Sequence, residues 1–476
     1  MDLSVSSKKG PGYSFNPSCL RALSARLMSI CQQYSKHFRV GRKDVSSQAR
    51  TYLYGLVMKA SRKNIERMEE YVQGCDYESM QHFISESPWD HCELYKHIAQ
   101  DVSDQVGGPE SVLSIDESGF TKKGEKSAGV GHQYNGRLGK IDNCQVGVFG
   151  SLSNGVNVGL IDARLYLPQE WIDSPKRCKA AGIPEDECVF KTKPQLGLEI
   201  VENARRNGVK FGFVSFDGLY GNTPEFVYGL SNKGYSFVGA VHRDQTIYLD
   251  KPDIYLPRRK AKIGRKHSRY CSRTPGIRAD ALTKQLEGEP WEKVAVREGA
   301  KGYVGFYAKR RMVWLWEEDT KNMMEVWLLL LRENNNSDEV KYYISNTATD
   351  ISLAELVKKA ACRFFIERAF QDAKTSAGMA DYQVRLWNGW HHHMGMVMLA
   401  LLFMTTEKKL NKKNVSLLSC EDIVALLNYF LPRADTTEEA IFRQLEKRHK
   451  KRMKSMESEY KKQAKLGIFG QSDLTM

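Results

Sequence analysis

SVLSID, Ser111 to Asp116, and FGFVSFD, Phe211 to Asp217, are two short apolar runs that each close on an aspartate with a glycine no more than three residues beyond. Runs of this length, rich in Val, Ile, Leu and Phe, read as buried strands. A carboxylate at the end of a central strand sits at the rim of a sheet, where α/β folds place ligands. Either aspartate alone is more often a turn former or a helix cap. Two in one context can open onto one rim, and that pair sets the reading of the chain.

Outward from these runs, KIDNCQVGVFGSL and NVGLIDARLYL read as strands split by the turn Ser153–Asn154–Gly155. Lys193 to Asn207 reads as a helix with Leu196, Ile200 and Ala204 on one face. NTPEFVYGLSNKG reads as another, with Asn222 as its N-cap and Gly234 at its end. YSFVGAV is a further strand. Hairpin-linked strands followed by alternating strands and helices predict an α/β layer with a mixed sheet over 106–250 and 340–410. Residues 1–105 carry helical spacing up to the break at Gly107–Gly108–Pro109 and form an expected helical domain. Residues 251–339, with Trp291, Trp314, Trp316 and Trp327, read as a mainly β insertion. A long helix is predicted from about Ser352 to Ser376, and a second apolar helix after Trp387–Trp390. Residues 411–476 form a basic helical tail whose last segment, from about Thr437, suits a solvated helix or a DNA contact.

Charge narrows the function. The 476 residues carry a net charge of +14, a surplus that points to a polyanionic partner. The N-terminal stretch has no apolar core and reads as no secretory signal. The longest apolar run, Met394 to Met404, is too short for the roughly 20 residues that span a bilayer. A cytoplasmic protein is expected, with no membrane partner. The ten cysteines form no CxxC pair, which argues against a zinc ribbon.

Glu367 lies in RFFIERAFQDAK. At about 100° per residue, Arg363, Glu367 and Lys374 fall within roughly 40° of one another. Their apolar neighbours Phe364, Phe365, Ile366 and Ala369 predict a mostly buried helix with one narrow polar stripe. Taken alone, the glutamate is better read as an i,i+4 surface pair with Arg363 or Gln371. Three carboxylates converging on one point suit Mg2+ or Mn2+, which prefer oxygen ligands. Two such ions clamp the attacking and leaving oxygens of an in-line phosphoryl displacement.

The motifs IDESGFTKKGEKSAGVGHQYNG, LGKIDNCQVGV, LYLPQEWIDS, FDGLYG and RFFIERAFQDAK followed by YQVRLWNGWHHH resemble those of bacterial insertion-sequence transposases of the DDE superfamily, over roughly 111–245 and 340–405. The helix signature of that family, Tyr-x2-Arg-x3-Glu-x6-Lys, is met by Arg363, Glu367 and Lys374, while Ala360 stands at the tyrosine position. The resemblance implies an RNase H-like fold interrupted by a β insertion. It implies Asp116, Asp217 and Glu367 as catalytic and metal-binding acids, with two Mg2+ (or Mn2+) ions. Arg363 and Lys374 would contact phosphates. The implied partner is double-stranded DNA, bound by a homodimer on paired element ends in the nucleoid. The implied activity is cleavage at terminal inverted repeats and strand transfer. A catalytically silent DNA-binding regulator and an RNase H-like repair or junction nuclease are the alternatives.

Further DNA contacts are expected at Lys122 and Lys123, and in the basic stretch Arg258 to Arg273, which includes Arg259, Lys260, Lys262, Arg265, Lys266 and Arg269. The resemblance also implies a tryptophan that stacks a flipped base, for which Trp314 or Trp316 is the candidate, against a commoner role in the core. Adjacent histidines on a helix point about 100° apart, so His391, His392 and His393 suit packing and hydrogen bonding better than shared metal ligation.

Overall fold

The structure, a computed structural model, describes residues 14–136, 138–257, 267–299, 302–334 and 339–466. Its N-terminal region is helical, apart from a two-residue ribbon at 39–44: α1 (Leu23–Tyr34), α2 (Ser46–Val57), α3 (Ile65–Tyr71), α4 (Tyr77–Ser85) and α5 (His91–Val106). Asn64, Asp76 and Asp90 start the last three by accepting the backbone N–H of Arg67, Ser79 and Cys92 at 3.0, 2.9 and 2.8 Å. Each satisfies an amide that a helix N-terminus otherwise leaves open.

One ten-stranded sheet forms the centre. Its strands are β1 (Val112–Thr121), β2 (Gly131–Asn135), β3 (Lys140–Ser153), β4 (Val158–Leu165), β5 (Phe213–Phe216), β6 (Phe237–Val241), β7 (Glu292–Gly299), β8 (Gly302–Trp316), β9 (Met323–Arg332) and β10 (Lys341–Ser345). They run in the order β7-β8-β9-β10-β6-β5-β1-β3-β2, and β4 also pairs with β3. β1 lies antiparallel to β3 and parallel to β5, so the sheet is mixed, as the strand order predicts. The remaining longer helices are α6 (Lys193–Arg206), α7 (Pro224–Asn232), α8 (Leu353–Ala361), α9 (Phe364–Ser376), α10 (Trp387–Asn411), α11 (Cys420–Phe430) and α12 (Glu438–Lys465).

The two faces of the sheet take different helices because side chains alternate along β1. Ile115 and Glu117 face α6, where Gly197 comes so close that an added Cβ would lie 3.0 Å from Ile115. Val112 and Asp116 face the other way: Val112 packs with Cys362 and Phe365, and Phe149, the strand partner of Asp116, meets Phe370 of α9 edge-on at 5.3 Å. α10 is buried all round, packed by α2, α4 and α5 on one side and β4 on the other. That explains the apolar run from Met394. No helix among the described residues is long and apolar enough to cross a membrane. His391, His392 and His393 are buried at the start of α10. Both ring nitrogens of His392 face carbonyls, of Ile84 and Trp89, each at 2.9 Å, and His393 Nδ1 meets the Tyr52 hydroxyl at 2.8 Å.

The strands within 251–339, β7, β8 and β9, continue the central ladder through β10 onto β6. Two expectations are corrected. The helix predicted from Ser352 to Ser376 is two helices. At Cys362–Arg363 the backbone bonds tighten to an i→i+3 pattern, with Arg363 N–H donating to Ala360 O at 3.3 Å and Phe365 N–H to Cys362 O at 3.0 Å. Thr223, not Asn222, precedes α7, with Pro224 in its first turn; the Asn222 side chain instead accepts the backbone N–H of His242 at 2.9 Å.

That link ties the segment after Asp217 to β6, and Gly221 completes it. A Cβ at Gly221 would lie 1.9 Å from the Ala240 carbonyl oxygen, a strand atom with no room to withdraw. Gly221→Ala is expected to lower stability by about 1–3 kcal/mol, read as a lower urea midpoint with an unchanged slope.

Candidate active site

The strand register builds the site. Ile115 pairs with Phe216, Phe216 with Gly239 and Gly239 with Ile344. One residue on, Asp116, Asp217, Ala240 and Tyr343 continue the next row on the opposite face of the sheet. Asp116 is not at a strand end, since β1 runs on to Thr121. It stands where β1 loses β5 as its neighbour, so the rim reading holds for a different reason. β5 does end at Phe216, and Asp217 caps the turn of helix Gly218–Gly221 by accepting the N–H of Leu219 at 2.9 Å.

Burial, and then the nearby charge of Asp217, push the Asp116 carboxyl up to about 7. Arg363 opposes this. Its guanidinium lies 3.5 Å from Asp116 and 2.8 Å from Glu367, so one cation bridges two acids. Burial alone would lower the Arg363 pKa, but Asp116 and Glu367 outweigh it and the net direction is upward. Glu367 itself is half-exposed. It joins the aspartates through Arg363 and not by direct contact. α9 is therefore amphipathic instead of mostly buried: Glu367, Arg368, Gln371 and Thr375 face solvent, while Phe365, Ile366, Ala369 and Phe370 are covered. Lys374 lies two turns beyond Glu367, its amine 5.7 Å from the centre of the Phe370 ring.

Residues 33–303 match the model of the family described as DDE superfamily endonuclease. The chain belongs to the DDE superfamily of endonucleases. It is also 23% identical over 360 residues to a probable transposase for insertion sequence element IS701 from Microchaete diplosiphon, covering 74% of this chain and 80% of that one. The family match contains Asp116 and Asp217 and stops short of Glu367.

The other candidate residues of this DDE endonuclease lie elsewhere. Lys122 follows the far end of β1, packed over the Tyr382 ring at 3.4 Å, and Lys123 beside it is exposed. Trp314 and Trp316 engage their own neighbourhood. The Trp314 backbone pairs with Tyr248, and the Trp316 indole N–H donates to Thr320 O at 3.1 Å. Neither touches the acids. Arg258, Arg259, Lys260, Lys262, Arg265 and Lys266 lie outside the described residues; Arg269 and Arg273 pair with Asp319 and Asp253 at 3.4 and 2.9 Å. Asp90, His91 and Cys92 form the one described cluster with three metal-type ligand atoms within 4.8 Å. They are consecutive residues, with Asp90 spent on the α5 cap and His91 stacked on His391 at 4.5 Å.

Sequence reading missed Tyr343. Its phenol stands in the aspartate row and lines a cleft with Arg363, and burial and then Arg363 act on its pKa, with a net rise. The KYYISN run gave only a strand; its register against β6 is what places the ring.

The raised Asp116 pKa fixes a pH dependence. The folded chain holds that proton more tightly than the unfolded chain. Stability from this group is therefore full below about pH 4 and is lost as pH rises through about 7. Asp116→Asn is expected to melt higher than the parent at pH 8 in metal-free buffer, by at most about 4 kcal/mol, with the gap closing toward pH 5. Parallel melting curves across pH are the check.

Proposed function

We propose that this DDE endonuclease is a transposase that binds the terminal inverted repeats of a mobile element, cuts there and joins the ends to target DNA. The observation that carries the reading is the row of Asp116 beside Asp217, bridged through Arg363 to Glu367. The residues fit divalent metal. Two crowded carboxylates, one of them forced toward its neutral form, are a hard-oxygen set whose repulsion a cation relieves. Asp116, Asp217 and Glu367 would hold Mg2+ or Mn2+, two ions per site, and bound metal would supply charge stabilisation to the attacking and leaving oxygens.

The chain's own groups do the rest. Arg363, half-covered at the rim, is placed to receive a phosphate oxygen with a planar donor fork. Lys374 extends the positive stripe along α9. The cleft of about 970 Å3 that opens at Arg363 and Tyr343 sets Arg243, Lys284 and Lys341 against Asp244, Asp280, Glu287 and Glu339, so Arg363 is its contribution to phosphate binding. The N-terminal helices and the basic tail are assigned to further DNA contact, and a homodimer on paired ends to the working assembly, in the bacterial cytoplasm at the nucleoid.

Alanine at Asp116, Asp217 or Glu367 is expected to reduce magnesium-dependent cutting of an end-containing duplex to background while binding persists. Undiminished cutting in any one of the three refutes its assignment. Magnesium is also expected to raise the melting temperature of the parent and not of Asp116→Asn, and chelator is expected to reverse the rise.

A further inference from the structure

A second cleft, of about 1250 Å3, lies between the N-terminal helices and the loop that follows β1. Lys122, Lys123 and Lys126 line it from that loop, and Arg385 from the segment leading into α10; Glu125 and Glu86 also line it, so the cations exceed the acids by two. Among the described residues none of these four has a carboxylate within ion-pair distance, and Lys122 alone of them is not exposed. Lys122 is largely covered. Its amine makes one long bond, 3.3 Å to Tyr382 O, and sits over the Tyr382 ring. Burial pushes its pKa down to about 7. A covered cation without an ion-pair partner is unfavourable, and three more cations in the same cleft outnumber its two glutamates, Glu86 and Glu125. The missing partner is an anion.

Position tells which anion. Asp116 and Lys122 lie on the same strand line and, being six residues apart, point from the same face, separated by roughly 20 Å. α9 spans that same distance, since thirteen helical residues rise about 20 Å. Its first turn meets Asp116 through Arg363, and the segment after its end carries Tyr382, on which Lys122 rests. The exposed side of α9, with Glu367, Gln371 and Thr375, thus leads from the acids to the cleft.

We propose that this cleft is a second anion site, which grips the phosphodiester backbone of DNA about 20 Å, or roughly six base pairs, from the point of cutting. The inference rests on the reading of the chain as a DNA-cutting enzyme. The four cations of the lining hold successive phosphates, and Lys122 is the half-buried anchor that becomes fully charged once an anion arrives.

The test uses the full chain, metal-free buffer and a long end-containing duplex, with binding followed by fluorescence anisotropy over a salt series. Replacing Lys123, Lys126 and Arg385 together by Gln touches only exposed side chains. It is expected to weaken binding at least tenfold and to flatten the plot of log affinity against log salt by roughly 3, near 0.9 per lost phosphate contact. Lys122→Met is expected to weaken binding in the same direction, and amine labelling of Lys122 in the parent is expected to be suppressed by DNA. Unchanged affinity and slope in the triple variant overturn the cleft and leave the three acids untouched. Normal, salt-sensitive binding by a parent that never cuts refutes the acids and leaves the cleft standing.

Discussion

The parallel pairing of β1 with β5 is the constraint on which the site depends. Hydrogen bonds between Val112–Ile115 and Phe213–Phe216 fix the next two residues, Asp116 and Asp217, side by side. Neighbouring strands stand about 4.8 Å apart, so two carboxylates are held closer than either charge favours. Nothing in the strands relieves this. Relief comes from across the sheet, where the tightened joint between α8 and α9 delivers Arg363 against Asp116. The joint has a local reason. Cys362 and Phe365 press onto Val112, and this contact sets where α9 begins on the sheet.

From there the remaining geometry follows. Ala240 continues the aspartate row with a methyl group, leaving space above the sheet that a larger residue would fill. Asp372, buried on the inner side of α9, pairs with Arg368 at 3.1 Å and with Lys408 of α10 at 3.8 Å. α9 is therefore held by apolar contact with the sheet and by charge to α10, while its outer side stays polar.

The layer around the candidate site was legible wherever information was local. Two apolar runs that close on Asp, a helix from Lys193 with Leu196, Ile200 and Ala204 on one face and the i,i+4 phase of Arg363 with Glu367 depend on near neighbours in sequence, and the structure has each. Register does not have that property. Tyr343 and Ala240 join the aspartates through pairings among strands distant in sequence, which no local pattern encodes. The strands of 251–339 were evident for the same reason that their place was not: an edge strand and a strand in its own sheet share one alternation. Lys122 shows the limit most plainly. It follows Asp116 closely in sequence, yet an extended strand turns six residues into roughly the length of α9.

The single ladder of ten strands also bears on how such a chain can change over generations. An inserted unit with its own sheet can be lost and leave its host intact. Here β9 covers β10 along its length, and β8 covers β9. A chain shorn of these strands would present β10 as a bare row of amides and carbonyls, the template on which other chains assemble into aggregates. The segment is thus a seal on the catalytic sheet. A gene that loses it would forfeit solubility before it forfeits chemistry.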